Sequence, residues 1–293
     1  RPTTLNAEGI LTDTLTARQD SDVTRAFGIE PLKEEESVNF TLGVAWRPNE
    51  KFALTVDIFH IDINDRIIFS SNIQPEAEAT CGPLNEGCPI RAILDPIGVG
   101  QVLFFTNAID TKTEGVDIVA DYNTEAWGGN LDLTALLHWN TTTVNKRHSD
   151  SSVLAPGVLF DDTQVTLVEE GQPGEKHILQ AFYTLDQWEF TLRENYFGEV
   201  SGEGFTPGIK ETWGGKWLTD IAVGYNINDK WRVTVGANNV FDVYPDKWDA
   251  GIIDPNNPGL NNPFPALGFI YGWETMPFGM NGGYYYAKLD FRF

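Results

Sequence analysis

Residues 37–47 read SVNFTLGVAWR, with Val38, Phe40, Leu42, Val44 and Trp46 on one face and Ser37, Asn39, Thr41, Gly43 and Ala45 on the other. A side-chain period of two is the signature of a β-strand with one apolar face and one small or polar face. The same alternation returns along the chain. Leu131, Leu133, Ala135, Leu137 and Trp139 alternate with Asp132, Thr134 and His138. Trp217, Ile221, Val223, Tyr225 and Ile227 alternate with Asp220, Ala222, Gly224 and Asn226, and Trp231, Val233, Val235 and Ala237 with Arg232, Thr234, Gly236 and Asn238. At the end, Tyr285, Ala287, Leu289, Phe291 and Phe293 oppose Tyr284, Tyr286, Lys288, Asp290 and Arg292. No segment shows a convincing 3.6-residue period.

Three strands depart from the pattern, one of them, residues 176–185, only in alternating weakly. Residues 52–65 keep phase through Ile58, after which Phe59, Ile61 and Ile63 take the other phase; a bulge or an exit from the apolar slab would explain this. In residues 188–196, Glu194 falls on the apolar face. The pattern gives nine strands, at about 37–48, 52–68, 103–124, 129–144, 176–186, 188–199, 217–227, 231–243 and 284–293. Residues 3–15 could add a tenth, although they alternate poorly. Connections alternate between tight turns, at 47–51, 125–128, 185–187 and 228–230, and long segments, at 69–102, 145–175, 200–216 and 244–283. Short turns at one end and long loops at the other describe an up-and-down outer-membrane β-barrel.

Composition agrees with that reading. No apolar run approaches the ~20 residues a membrane helix needs. The mean hydropathy of −0.25 suits a barrel as well as a soluble protein, because only every second residue of a barrel strand faces lipid. Trp46, Trp139, Trp188, Trp217 and Trp231 stand near strand ends in the apolar phase, as aromatic girdles require. The competing arrangement is a soluble β-sandwich with these rings in its core. The formal net charge of −22 over 293 residues repels phosphate backbones and argues against nucleic-acid binding. Residue 1 is Arg and no signal peptide precedes it, so the expectation is a chain that is processed or cut from something longer.

Several segments, in order, resemble the carboxy-terminal part of TonB-dependent outer-membrane receptors. They are residues 32–43 (LKEEESVNFTLG), 52–68 (FALTVDIFHIDINDRII), 107–122 (NAIDTKTEGVDIVADY), 236–244 (GANNVFDVY) and the aromatic final strand, 284–293. The resemblance implies an all-β, antiparallel transmembrane barrel, of which residues 1–293 supply a carboxy-terminal portion of about nine or ten strands, with the plug domain and TonB box upstream and absent here. It implies a receptor in the outer membrane of a Gram-negative bacterium. Such a receptor imports a scarce ligand, of the siderophore-iron, cobalamin or carbohydrate class, with energy relayed by the TonB complex. The alternatives are a passive porin-type channel or a soluble binding module.

Site residues follow from the same resemblance. Cys81 and Cys88, in a loop expected outside the cell, suit a disulfide formed in the oxidising periplasm; shared metal ligation is the alternative, with no histidine nearby. Tyr285, Leu289, Phe291 and Phe293 resemble the signal read by the barrel-assembly machinery. Trp248, Tyr271, Trp273 and Phe278, in the longest loop, are candidate contacts for a small-molecule ligand. Asp161, Asp162, Glu169 and Glu170 are acidic loop candidates that could instead bind divalent cations weakly or bridge lipopolysaccharide. Asp117, Asp121, Asp132, Arg193, Arg232, Lys288, Asp290 and Arg292 face the lumen and are expected to form cross-strand ion pairs and to contact the plug. The histidines, His60, His138, His148 and His177, form no nucleophile or Asp-His constellation and no G-x-S-x-G elbow occurs, so no enzyme, catalytic residue, cofactor or resident metal is expected.

Overall fold

The computed structural model describes residues 3–5, 11–149, 151–203, 210–249, 253–254, 257–261, 270–272 and 276–292. In chain order the strands are β1 (Thr3–Leu5), β2 (Leu11–Thr16), β3 (Glu36–Asn49), β4 (Phe52–Phe69), β5 (Gln101–Leu103), β6 (Phe105–Ala126), β7 (Gly129–Arg147) and β8 (Glu175–Leu185). They continue as β9 (Trp188–Phe197), β10 (Val200–Glu203), β11 (Lys210–Trp213), β12 (Lys216–Asn226), β13 (Trp231–Asn238), β14 (Ile253–Asp254), β15 (Asn257–Asn261) and β16 (Tyr284–Phe291). Four short helices lie in the connections: α1 (Asp22–Ala26), α2 (Pro89–Leu94), α3 (Pro156–Leu159) and α4 (Asp162–Glu170).

One nine-stranded sheet dominates, in the order β16-β13-β12-β9-β8-β7-β6-β4-β3, and every neighbouring pair in it is antiparallel. It is a stretch of up-and-down barrel wall whose two edge strands, β3 and β16, do not meet. All nine strands expected from alternation are present. The expected strand 231–243 stops at Asn238, because Asn239 and Asp242 both adopt positive φ, and residues 188–199 stop at Phe197. The tenth strand does not join the wall: β2 pairs with β1 and, in parallel, with β5 in a small separate sheet.

The tight turns explain how the strands reverse. Trp127 and Gly128 both have positive φ, the two-residue geometry that matches the right-handed twist of a hairpin. At the β3–β4 and β12–β13 reversals an asparagine side chain replaces a backbone acceptor. Asn49 Oδ1 accepts from the Lys51 and Phe52 amides at 2.9 and 3.0 Å, and Asn228 Oδ1 from Lys230 and Trp231 at the same distances.

The apolar face of the wall is open. Ile58, Leu192, Ile221, Val235 and Leu289 are between 42% and 61% exposed, and among the described residues no second sheet is stacked upon them. A soluble sandwich would have sealed this face; an apolar stripe left bare along the strands is a surface for lipid. Aromatic rings mark its limits. Near the turns, Trp46 meets Phe52, Trp188 meets Tyr225 and Trp231 meets Phe291. Near the loops, Trp139, His177, Tyr196 and Trp217 form a continuous row of neighbouring rings. Along β9 the two rows stand eight residues apart, from Trp188 to Tyr196. At a rise of about 3.3 Å and a tilt of about 40°, that is a band roughly 20 Å tall, close to the ~25 Å expected of a barrel. Glu194 does sit on this face, just inside the upper row, where it accepts from Thr219 Oγ1 at 2.9 and 3.0 Å.

The phase change in β4 is an exit, not a bulge. Pairing with β3 and β6 runs unbroken past Ile58 and Phe59; register shifts lie away from this point, beside the β3–β4 turn and beyond Ile63. Above Ile58 the outward face becomes polar: His60 contacts Asp62 at 2.7 Å and Glu114 at 2.9 Å, and Lys112 pairs with Glu114 at 3.1 Å. The inward face becomes apolar, with Phe59 lying over Gly115, where any Cβ would strike its ring. The strands have left the slab and begun to carry folded loops.

Those loops own the principal buried core. Ala17, Phe27, Ile29, Ile73, Leu94, Val99, Val102, Phe104, Leu154 and Leu159 form one cluster, drawn from the segment before the wall and from the connections after β4 and β7. Phe27 and Phe104 meet edge to face at 5.3 Å. Backbone bonds stitch the three segments together: Ala17 N donates to Leu103 O, Ser71 N to Leu159 O, and Ile73 and Val102 exchange a pair at 3.0 Å. We call this body the cap.

Candidate ligand-capture site

The cap stands where the strands rise beyond the upper aromatic row, and with the loop after β13 and the upper wall it forms the end at which the long connections gather. Its parts are held by local chemistry. Asp161 caps α4 by accepting from Gln164 N at 3.0 Å. Asp162 pairs with Arg147 at 2.8 Å, Glu169 accepts from Val144 N at 2.7 Å, and Glu170 pairs with Lys210 at 2.5 Å. The hydrogen bond from Lys210 holds the Glu170 carboxyl below its ordinary pKa. All four acidic loop candidates are thus engaged, Asp161 in capping α4 and the other three in holding it to the wall and to β11. Nearby, Glu114, Glu169, Glu175 and Glu199 join Trp139 and Tyr196 around a crevice of about 800 Å³, between the protruding upper part of β7 and the top of β9.

Cys81 and Cys88 are joined in a disulfide that closes a ring with Leu84 projecting fully into solvent at its tip. Metal ligation by this pair is thereby excluded in the bonded state.

The candidates in the longest loop divide. Trp248 is buried, packed edge to face on Trp213 at 4.7 Å beside Val200, so it fastens the loop to β11. Its backbone donates to Ile270 O at 3.0 Å, and the adjacent Lys247 bridges to Tyr271. Tyr271 stacks on Tyr244, 6.4 Å between centroids, and remains partly open. The hydrogen bond to Asp242 raises the Tyr244 phenol above its ordinary pKa. Phe278 lies against Phe197 at 5.5 Å. Trp273 lies outside the described residues, as does Phe293. Tyr285, Leu289 and Phe291 occupy β16 in the outward phase, opposite Ala237, Val233 and Trp231.

The lumen wall is polar, as expected, but few of its contacts join opposite charges between strands. Arg232 reaches Glu189 across two strands, and Asp117 bonds to His138. Most of the rest are charge–neutral: Asp121 accepts from Thr134 at 2.8 Å, Asp132 from Asn123 at 2.9 Å, and Arg193 donates twice to Gln180 at 2.7 and 2.9 Å. Lys288 pairs along its own strand with Asp290 at 2.7 Å. Arg193, Arg232 and Lys288 also line a shared hollow of about 300 Å³, together with Asp220 and Asp290. Alternation marks these residues as inward-facing, but whether each meets charge or amide depends on register, which sequence alone does not give.

Comparison with known proteins bears on the whole wall. The family described as "TonB dependent receptor-like, beta-barrel" matches residues 4–240. No curated protein matches. Among solved structures the chain is similar to the ferric enterobactin receptor PfeA of Pseudomonas aeruginosa, at 15% identity and TM-score 0.55 over 89% of this chain and 32% of that one. It is similar to the FrpB iron transporter of Neisseria meningitidis, at 15% identity and TM-score 0.54 over 96% and 33%. It is also similar to the pyoverdine receptor FpvA of Pseudomonas aeruginosa, at 15% identity and TM-score 0.52 over 90% and 31%. The chain spans about a third of the length of each.

Proposed function

The chain belongs to the TonB-dependent receptor-like β-barrel family, and from that premise we propose that it supplies the carboxy-terminal barrel wall and part of the outer loops of a Gram-negative outer-membrane importer. The importer captures a scarce ligand outside the cell, of the siderophore-iron class first, with cobalamin or carbohydrate as the other classes. Energy comes from the TonB complex through a plug in another part of the protein. The outer wall is anchored by lipid and lipopolysaccharide, and the assembly machinery reads Tyr285, Leu289, Phe291 and Phe293.

One observation carries this reading: an open apolar band, edged by two aromatic rows, rises into a folded cap at the end where the long connections gather. A porin needs loops that constrict a channel; a body with its own core is better suited to recognition. The solved neighbours include receptors for ferric enterobactin and pyoverdine and an iron transporter, which supports the same class. Tyr271 and Phe278 are the loop residues proposed to touch ligand, with Trp273. Trp248 contributes by holding that loop in place.

The test is uptake of radiolabelled ferric siderophores by cells whose only receptor is the full-length protein. Uptake should be saturable and should stop when the proton-motive force is collapsed or TonB is deleted. Uptake that persists without both would replace the importer with a passive channel.

A further inference from the structure

Three side chains far apart in sequence meet where the cap joins the wall. Asp65 leaves β4 at its bulge, Asp110 stands in β6 beside a register shift, and His148 follows the last residue of β7. One ligand atom from each lies within 4.8 Å of the others, and all three residues are partly buried. His148 Nε2 is 2.7 Å from Asp110 Oδ1, with both side chains only 18% exposed. The backbone around them is fixed. Asp65 N donates to Asp110 Oδ1 at 2.9 Å, Asn107 Nδ2 donates to Asp65 O at 2.5 Å, and His148 N donates to Ala108 O at 2.7 Å. The Asp65 carboxylate, by contrast, has no hydrogen-bonding or ionic partner among the described residues, although a second carboxylate stands beside it.

Two carboxylates and an imidazole gathered at one point, with one carboxylate unanswered, offer three ligand atoms to a cation. The imidazole decides which cation. Oxygen-only sites suit calcium and magnesium, whereas an imidazole nitrogen with two carboxylates suits first-row divalent ions of the zinc type; no thiolate or thioether is present to favour copper(I). Tetrahedral zinc places its ligand atoms about 3.4 Å apart at bond lengths of about 2.1 Å. Small side-chain rotations would bring the three atoms from their present spacing to that one, leaving a fourth position for water.

We infer that Asp65, Asp110 and His148 form a binding site for a zinc-class divalent cation that clips the bases of two cap connections to the wall. Binding replaces the contact between His148 Nε2 and Asp110 with two bonds to the ion, and it recruits the idle Asp65 carboxylate. The site lies above the lipid band, on the structural path between cap and wall, and does not depend on the importer reading.

The experiment uses the full-length protein purified in detergent and stripped with chelator. Zinc titrated alone, by calorimetry, should bind at one saturable site. Asp65→Asn and His148→Gln should each weaken it by at least about tenfold, the lower end of what loss of a supporting residue alone does to metal sites. Calcium titrated in parallel should not compete. Zinc binding unchanged in both variants would overturn the assignment, as would calcium binding that survives His148→Gln. Should either variant fail to fold, cobalt(II) added to the unaltered protein keeps the question open to decision. A visible spectrum of a nitrogen- and oxygen-ligated tetrahedral ion, abolished by equimolar zinc, supports the site; the spectrum of the fully hydrated ion rejects it.

Discussion

Wall and cap carry similar apolar side chains and treat them in opposite ways. In the cap, Phe27, Leu94, Val102, Phe104 and Leu159 lose all contact with solvent. In the wall, Leu42, Val44, Ile221, Val235 and Leu289 keep about two-fifths or more of their surface open. The cap is built as water demands, with apolar surface hidden inside and short helices closing the gaps. The wall is built as lipid demands: its backbone is satisfied strand to strand and its apolar surface is turned outward, because hydrocarbon imposes no cost on it. The same residue type thus stabilises one region by burial and the other by exposure. Mutations should separate the two.

The largest expected effect lies in the cap. Phe27→Ala removes a ring packed on Phe104 and should cost about 3–5 kcal/mol, as large cavities in cores do. That loss should be confined to the cap. Protease added to intact cells should cut the connections after β4 and β7, while the barrel keeps its heat-modifiable migration in gels. Loss of the folded barrel as well would show that the two regions are one cooperative unit.

Next is the wall. Ile221 lies midway between the rows marked by Trp217 and Tyr225 on β12, so Ile221→Arg places a charge near the middle of the lipid band. The expected cost is about 2–4 kcal/mol. Thr134→Arg, which faces inward beside Asp121, should cost well under about 1 kcal/mol. Unfolding of the protein in lipid vesicles by urea measures both. Equal costs for the two would mean that the face taken to meet lipid does not.

Reducing the Cys81–Cys88 bond ranks third, because it opens a short ring. Chain entropy alone gives about 2 kcal/mol for a loop of this size. The expected result is faster proteolysis of residues 76–95 and no change in the wall, read by mass spectrometry of the fragments. Destabilisation of the wall on reduction would contradict the division.

The two regions also differ in how far they could be read from sequence. A strand reports its own environment every second residue, so nine wall strands, their turns and the phase change at Ile58 were legible in runs such as 37–47 and 52–65. The meaning of that phase change was not, because exit and bulge look alike until pairing with β3 and β6 is known. The cap was illegible for a different reason. Its core gathers Phe27, Leu94, Phe104 and Leu159 from segments with no common period, and helices such as α2 and α3 are too short to show one. Asp65, Asp110 and His148 were equally hidden, since they meet only through irregularities in register. Trp248 shows the converse error: an aromatic residue in a long loop reads as a ligand contact until a partner such as Trp213 claims it.

The smallest expected effect tests the seam. Where α4 meets β11, two carboxyls answer acid in opposite directions. Burial raises the pKa of Glu211, while the bond from Lys210 lowers that of Glu170. A carboxyl whose folded pKa is raised adds stability that is present below its unfolded value near 4.5 and is lost as pH rises through the folded value. A carboxyl whose folded pKa is lowered does the reverse: its contribution is present above the unfolded value near 4.5 and fades as pH falls through the folded value. As pH falls from 6 toward 4.5 the Glu211 contribution therefore firms the β10–β11 ribbon, and below about 4.5 the fading Glu170 contribution works against it. Glu211→Gln removes the compensating member. In that variant the protection of amides in residues 200–203 and 210–213, taken as exchange relative to the intrinsic rate at each pH, should fall as pH drops below about 4.5, by no more than the few-fold expected of a partly exposed pair, while protection in β12 stays constant. Protection that rises on acidification in the variant would show that Glu170 is not the group fastening α4 to this ribbon.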